Sequence, residues 1–273
     1  MSELEYINHA CVIITAENLK ILCDPWLIGP SWADNLWLFP KASHPSRYYE
    51  NIDYLYISHG HEDHLHKRSI DWLPKNIKSK PVIIPKFKNA PYLVDTFKKC
   101  NLSNLILMHN EETITIGKSI NLTMFTNQED HDSSLLISTS NTNVFLQTDN
   151  IINDKESLRI GQKHRVDICL TMTNQTGPWP AFYKLENIQM QKAADKKRES
   201  SQTASIKITR NLKAKYIIPY ASDICYFNED FYANYFHYDD KEKYREKALK
   251  EIPLSEVIIM NPHSKIKFKD GEI

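Results

Sequence analysis

The chain has 273 residues, enough to bury a large core, and its 34 Lys and Arg residues balance its 34 Asp and Glu residues. This zero formal net charge argues against nucleic-acid binding through bulk charge. The sequence has no apolar run of about 18 residues, so no membrane-spanning helix is expected. We expect one domain over residues 1–273.

The five cysteines are odd in number and widely spaced, and no two of them form a CxxC pair. This usage fits a reducing compartment better than an oxidising one. The first residues, Met1 to Glu5, lack the basic start and apolar stretch of a signal peptide. These features predict a cytoplasmic protein, and its aromatic content allows an oligomer.

The first elements are predicted to form a hairpin. Residues 4–14 read as one strand, Glu17-Asn18 as a tight turn, and residues 19–23 as the return strand. The return strand runs into Asp24-Pro25-Trp26. A turn carboxylate of this kind is either an ordinary loop residue or a support for a neighbouring site.

A long aromatic segment follows. Residues 28–49 have neither helical nor strand periodicity and contain Trp32 and Trp37, so this loop is more than a connector. We expect it, with Trp26 just before it, to cover a site and contact substrate; the alternative is that its aromatic side chains pack on the core. Arg47 is a candidate contact for an anionic substrate.

The densest chemical signal is Ser58-His59-Gly60-His61-Glu62-Asp63-His64. The alternating residues 52–57 before it predict a strand that runs into the segment. His59 and His61 are two residues apart and face the same way, while Asp63 and His64 follow one turn later. Imidazole and carboxylate groups bind divalent cations, so four donors in so short a stretch predict one or two metal ions.

The order His59-x-His61-x-Asp63-His64 resembles the signature of the metallo-β-lactamase superfamily. The resemblance implies an α/β fold (α+β), a four-layer αββα sandwich with a metal site at one edge. The phrase Asp24-Pro25-Trp26-Leu27 is similar to a branch that includes sugar-ascorbate lactonase-like, N-acylphosphatidylethanolamine phospholipase D and CMP-N-acetylneuraminate hydroxylase-like proteins. In that family, the residue at Asp24 supports the metal loop.

The remaining periodicities fit such a sandwich. Strands are predicted at residues 81–85, 105–108, 112–116, 120–125, 135–138, 144–149, 166–172, 215–222 and 256–260. Helices are predicted at residues 68–74, 92–99, 184–212 and 239–252, with a break or restart near residues 199–203 in the third. Trp179 follows the 166–172 strand in a loop, where pocket residues concentrate, so it is a candidate substrate contact or a core aromatic.

The resemblance also implies the remaining ligands. A lone His precedes one family strand and an Asp ends the next, and His131 and Asp149 hold those places. Asp130 and Asp132 are alternatives as partners of the ligands. Thr148 stands where the family has Gly. A His after the last strand is implied as the final ligand; His263 holds that place, with His237 as its rival.

The complete expected set is His59, His61 and His131 on one ion and Asp63, His64 and His263 on the other, with Asp149 between them. Two divalent ions are expected, zinc first, with manganese or iron as alternatives. A hydroxide bound to them would cleave a phosphodiester, lactone, amide or thioester in a small-molecule substrate, with Asp63 orienting the nucleophile or passing its proton. The alternatives are an iron-dependent redox enzyme or hydroxylase-like partner, and a non-catalytic binding protein.

Overall fold

Two seven-stranded sheets organise the chain in the computed structural model, which describes residues 2–90, 93–127, 131–175 and 177–273. The strands are β1 (Ser2–Asn8), β2 (Cys11–Ala16), β3 (Leu19–Cys23), β4 (Leu36–Leu38), β5 (Tyr54–Tyr56), β6 (Val82–Pro85), β7 (Leu105–Met108), β8 (Thr113–Ile116), β9 (Ile120–Thr126), β10 (Ser133–Ser138), β11 (Asn143–Leu146), β12 (Ile168–Met172), β13 (Tyr216–Tyr220), β14 (Ile224–Tyr226), β15 (Glu256–Val257) and β16 (Lys265–Phe268). The helices are α1 (Lys67–Trp72), α2 (Leu93–Lys99), α3 (Asp154–Lys163), α4 (Asn187–Leu212), α5 (Asn234–His237) and α6 (Lys241–Glu251).

Each sheet joins strands from distant parts of the chain. The first sheet has the order β16-β1-β2-β3-β5-β6-β7, and the second has the order β15-β13-β12-β11-β10-β9-β8. In both sheets a run of parallel strands meets a run of antiparallel ones, because β3, β5, β6 and β7 pair in parallel, as do β11, β12, β13 and β15.

Side chains alternate across the strands and create three apolar layers. In β2, Val12 and Ile14 point into the core between the sheets, whereas Cys11 and Ile13 pack on the outer face beneath α1 and α2. The second sheet buries its outer face against α3, α4 and α6. The order helix, sheet, sheet, helix confirms the predicted αββα sandwich.

Several element boundaries differ from the sequence prediction. The predicted first strand divides into β1 and β2, because the chain reverses at His9, whose φ is 41°, and the two strands pair antiparallel. The helix predicted over residues 184–212 is unbroken from Asn187 to Leu212. The last predicted strand is confined to Glu256–Val257, while α3 and β16 were not predicted.

A small cap lies over one edge of the sandwich. It consists of the antiparallel pair β4 and β14, in which Leu36 faces Tyr226, and its buried residues come from both strands and from other segments. Those buried residues are Trp26, Leu36, Leu38, Ala181, Tyr226 and Ala233. The aromatic segment without periodicity therefore folds into a defined layer through pairing with a strand nearly 190 residues later.

Among the described residues, none of the helices combines the length and apolar character needed to cross a bilayer. All five cysteines are unpaired.

Candidate metal centre

The segment of residues 58–64, called the metal loop below, begins where two neighbouring parallel strands end. Strands β3 and β5 pair in parallel, so Asp24 and Ser58, which follow them, meet at one edge of the first sheet. Asp24 accepts hydrogen bonds from the Ser58 backbone N–H (2.8 Å), the Ser58 hydroxyl (2.7 Å) and His64 Nδ1 (2.9 Å). Asp24 thus holds the metal loop in place and orients Nε2 of His64 toward the proposed ligands.

The first ligand group contains His59, His61 and Asp132. Nε2 of His59 lies 2.9 Å from Nδ1 of His61 and 3.8 Å from Oδ1 of Asp132. One donor atom from each residue lies within 4.8 Å of the others. Two imidazoles and a carboxylate in this arrangement can hold a divalent cation.

A second group contains His9, Asp63 and His64. Oδ2 of Asp63 lies 3.4 Å from His9 Nε2 and 3.9 Å from His64 Nε2. Asp149 lies between the groups, with Oδ1 3.4 Å from His64 Nε2 and Oδ2 3.9 Å from His59 Nε2. The two oxygens of one carboxylate therefore face both groups, which is the arrangement expected of a bridging ligand.

Backbone geometry explains the residue before Asp149. Thr148 has a φ of 57°, in the left-handed region that favours glycine. Its backbone N–H donates to the Tyr220 hydroxyl at 2.7 Å, and its own hydroxyl donates to the Ser133 carbonyl. These bonds hold a non-glycine residue in the turn that presents Asp149.

The charges of the cluster are strongly coupled. Burial acts to lower the pKa of His64, but the carboxylates of Asp149 and Asp24 raise it well above its ordinary value. Burial acts to raise the pKa of Asp149, but His64 holds it at about 2. Burial, together with the charge of Asp149, raises the pKa of Asp132 to about 6. Three carboxylates lie close together here, and the raised pKa of His64 shows that their surroundings favour positive charge.

Several buried polar atoms lack hydrogen-bond partners among the described residues. Those in the cluster are both ring nitrogens of His9, Nε2 of His64 and Oδ1 of Asp132, and others, such as Nε2 of His237, lie outside it. Unpartnered buried polar atoms are rare because each costs desolvation free energy. His9 Nε2, His64 Nε2 and Asp132 Oδ1 lie within 4 Å of other donors of the two ligand groups, so these residues fit one or two divalent cations. Nitrogen and carboxylate donors without a thiolate suit zinc, manganese and iron.

Two residues expected as ligands are not members of these two groups. The side chain of His131 is 47% exposed, and its Nε2 is 3.4 Å from Oδ2 of Asp132, so the buried Asp132 takes the place next to His59. His263 lies instead with Glu5 and His44, and one donor atom from each of these residues lies within 4.8 Å of the others. The assignments of His131 and His263 as ligands stay predictions: the ring of His131 contacts the first group through Asp132, and His263 lies in a different group.

Hydrogen bonds account for the ring nitrogens of His263. Nε2 accepts from the Ser43 backbone N–H at 3.2 Å, and Nδ1 lies 2.7 Å from His44 Nε2. His237, the rival ligand, is buried beside Tyr226 with a ring-centroid distance of 5.5 Å. The ring nitrogens of His263 are therefore hydrogen-bonded, whereas Nε2 of His237 is buried without a hydrogen-bond partner and lies outside the two ligand groups.

Of the four tryptophans expected to contact substrate, Trp32 lines the cavity above the metal centre. Its indole N–H donates to Asp63 Oδ1 at 2.9 Å, and its ring packs on His61. Trp26 is fully buried under the cap and donates to the Gly29 carbonyl. Trp37 and Trp179 do not line the cavity; they contact Phe227 and Tyr183, respectively.

Sequence reasoning missed His9 as a site residue and treated Asp132 only as an alternative. Nothing in the spacing of His9 to the metal loop reveals their proximity, since 50 residues separate His9 from His59. The signal available was an Asn-His-Ala turn at the end of β1, in the same sheet as the strand that leads into the metal loop. For Asp132, the signal was its position directly before β10, one residue closer than His131.

Comparisons with known proteins identify the family and the fold of the chain. A family model described as "Beta-lactamase superfamily domain" matches residues 3–171. The chain is 33% identical over 104 residues to cytidine monophosphate-N-acetylneuraminic acid hydroxylase from Danio rerio, covering 37% of this chain and 17% of the relative. A segment of 66 residues is 39% identical to the inactive human counterpart, covering 23% of this chain and 13% of that one. The matches therefore span less than a fifth of these relatives.

Solved structures share the architecture at low identity. An isothiocyanate hydrolase from Delia radicum gut bacteria superposes with a TM-score of 0.70 at 11% identity, covering 97% of this chain and 99% of that one. CmlA, a diiron β-hydroxylase from Streptomyces venezuelae, superposes with a TM-score of 0.64 at 18% identity, covering 98% and 54%. These likenesses concern the fold alone.

Proposed function

The chain belongs to the β-lactamase superfamily, and from that premise we propose that it is a metal-dependent hydrolase of a small-molecule phosphodiester, lactone, amide or thioester. The observation that carries the proposal is the position of Asp149 between two ligand groups at the floor of a cavity. The proposed ligands are His59, His61 and Asp132 for one ion and Asp63, His64 and His9 for the other, with Asp149 shared.

Two divalent cations bound by these residues would lower the pKa of a water molecule and polarise a carbonyl or phosphoryl oxygen. The chain supplies orientation and proton transfer. Trp32 fixes Oδ1 of Asp63, so that Oδ2 faces His9 and His64. The proposed role of Asp63 is to orient the attacking group or deliver a proton to the leaving group. No separate Ser or Cys nucleophile is required.

An iron-dependent redox enzyme is the second candidate, favoured by the three carboxylates in the cluster. Asp132 adds a carboxylate to Asp63 and Asp149, and oxygen-rich donor sets suit iron and manganese as well as zinc. Hydroxylases occur both among the partial relatives and among the structural neighbours. The donor set therefore makes metal identity the first quantity to measure.

Elemental analysis of the purified chain tests the centre directly. We expect about two zinc, manganese or iron ions per chain. His61→Ala should lose metal, whereas His109→Ala, which changes an exposed histidine outside the cluster, should retain it. His263→Ala should also retain it, because the ring lies in a different group. Loss of one ion from His263→Ala would instead restore that residue to the ligand set.

Activity assays then separate the candidates. Zinc or manganese with hydrolysis of model lactones, thioesters or phosphodiesters, abolished in His61→Ala, supports the hydrolase. Iron with reductant-dependent oxygen consumption supports the redox enzyme. A folded chain that binds no metal under any loading condition contradicts both and leaves a binding protein on this fold.

A further inference from the structure

The cavity above the metal centre has walls of a consistent chemical character. We infer that the site takes a small molecule that directs one polar reactive group at the metal centre and whose remaining part is uncharged and largely apolar. This inference rests on the proposed function, since it assigns the metal cluster as the reacting end of the cavity. It adds the chemistry of the rest of the substrate.

The cavity has a volume of about 390 Å³, within the range of small-molecule sites. Its floor contains His61, Asp63 and Asp149. The apolar and aromatic wall residues are Trp32, Leu36, Met172, Pro178, Phe182 and Tyr226. One end of a bound substrate would therefore face the proposed metal ligands, and the rest of the substrate would contact apolar surface.

Among the described residues, the lining contains neither lysine nor arginine. The nearby cations are engaged elsewhere: Arg68 pairs with Asp34 at 2.9 Å, and Lys197 donates to the Trp179 carbonyl at 2.8 Å. Arg47, a candidate anion contact in the sequence, does not line the cavity. A charged group in these walls would lose its hydration without gaining a counter-ion, which is costly.

The walls are held by packing, so the apolar surface is pre-formed. Leu36 and Tyr226 face one another across β4 and β14, and both belong to the buried cluster of the cap. Phe182 packs on Tyr226 with ring centroids 5.4 Å apart. Met172 is the last residue of β12. A pre-formed apolar wall binds apolar groups without an ordering cost.

The test keeps the metal-directed group constant and varies the tail. Three hydroxamates are titrated by calorimetry into the metal-loaded full chain: acetohydroxamate, 3-phenylpropanohydroxamate and its para-sulfonate. We expect the phenyl compound to bind at least about tenfold more tightly than acetohydroxamate, because its ring buries apolar area. The sulfonate should lose this gain.

Matched variants locate the effect. Phe182→Ala should reduce the phenyl advantage. Phe231→Ala changes an exposed aromatic residue that does not line the cavity, so it should leave the phenyl advantage intact. Phe182→Lys should favour the sulfonate over the neutral ring. Circular dichroism and melting temperatures establish that the variants fold.

The outcomes separate the two proposals. If the phenyl compound binds no more tightly than acetohydroxamate, or the sulfonate matches the neutral ring, the apolar-substrate inference is wrong while the metal centre stands. If no hydroxamate binds the loaded chain better than the metal-free chain, the proposed metal centre itself is wrong.

Discussion

Three consecutive non-glycine residues, Trp32, Ala33 and Asp34, have φ angles of 51°, 55° and 66°. Each such conformation costs roughly 1–2 kcal/mol, because Cβ approaches the following carbonyl oxygen. The turn brings the Trp32 backbone N–H to Glu62 at 2.7 Å and its indole N–H to Asp63 at 2.9 Å. The strained turn therefore orients a proposed ligand.

Replacing Trp32 with Phe removes the donor to Asp63 but keeps an aromatic ring. We expect metal affinity or turnover to fall roughly 10- to 100-fold, the usual effect of losing a ligand's hydrogen-bond partner. Trp37→Phe is the matched control, because its indole N–H donates to a backbone carbonyl in the same loop. Equal metal titrations for both variants would show that the bond to Asp63 has no positioning role.

Variants of Asp132 and His131 test which of these two adjacent residues is a metal ligand. Asp132→Asn removes a buried carboxylate beside His59, and we expect a roughly 10-fold or greater loss of metal affinity. His131→Ala changes a half-exposed ring, so its effect should stay within about twofold. Competition with a chelating dye measures both. The reverse ranking would identify His131 as the ligand.

His237 predicts a pH dependence of stability. Burial, with a smaller contribution from Lys197 and Arg198, lowers the pKa of His237 to about 4. The unfolded chain, with an ordinary value of about 6.5, binds a proton that the folded chain does not bind between these values. Stability present above pH 6.5 is therefore lost as pH falls toward 4.

Protonation of His237 should lower the free energy of unfolding by at most about 3 kcal/mol over this pH range. Urea unfolding at pH 7 and pH 4.5 measures it in the wild type and in His237→Phe, which cannot titrate. The variant should lose less stability on acidification. Parallel losses in the two proteins would contradict a buried neutral His237.

At the scale of elements, α3 and α4 approach closely at Gly161. A Cβ added there would lie 2.1 Å from the Asn211 carbonyl oxygen, so one backbone must move. The helices pack between the second sheet and solvent, through Ile160 and Leu212. Their contact has no room for a methyl group.

We expect Gly161→Ala to lower the free energy of unfolding by about 1–3 kcal/mol, despite alanine's higher helix propensity. Gln162→Ala, an exposed position on the same helix, should change it little. Urea denaturation of both variants tests the contact. A more stable Gly161→Ala would show that the helices separate without cost.

Local sequence patterns predicted the presence of helices and strands better than the residues at which they begin and end. Glu17 and Asn18 have φ angles of 51° and 66°, as a tight hairpin turn requires, and α1 begins and ends close to the predicted bounds. The antiparallel break at His9 was missed because residues 4–14 are apolar on both sides of the turn. Strand β16 was missed because its pairing with β1 depends on residues some 260 positions apart.

At the scale of the molecule, the metal loop could be predicted and the complete cluster could not. His59, His61, Asp63 and His64 lie within six residues, so their proximity follows from chain geometry. His9 reaches Asp63 because β1, β2 and β3 fold back beside β5. Asp132 reaches His59 across the two sheets. Such contacts depend on strand order and register, which local periodicity does not determine.

The cap and the metal loop come from different parts of the chain. The loop follows β5, whereas β4 and β14 form a separate two-stranded sheet outside the two layers that hold the ligands. Exchanging these two three-residue strands, with the Trp32 turn kept, would reshape the cavity walls while leaving the ligand-bearing scaffold in place. Selectivity and reactivity can therefore diverge independently in descendants of this chain, and a designer could retarget the one without rebuilding the other.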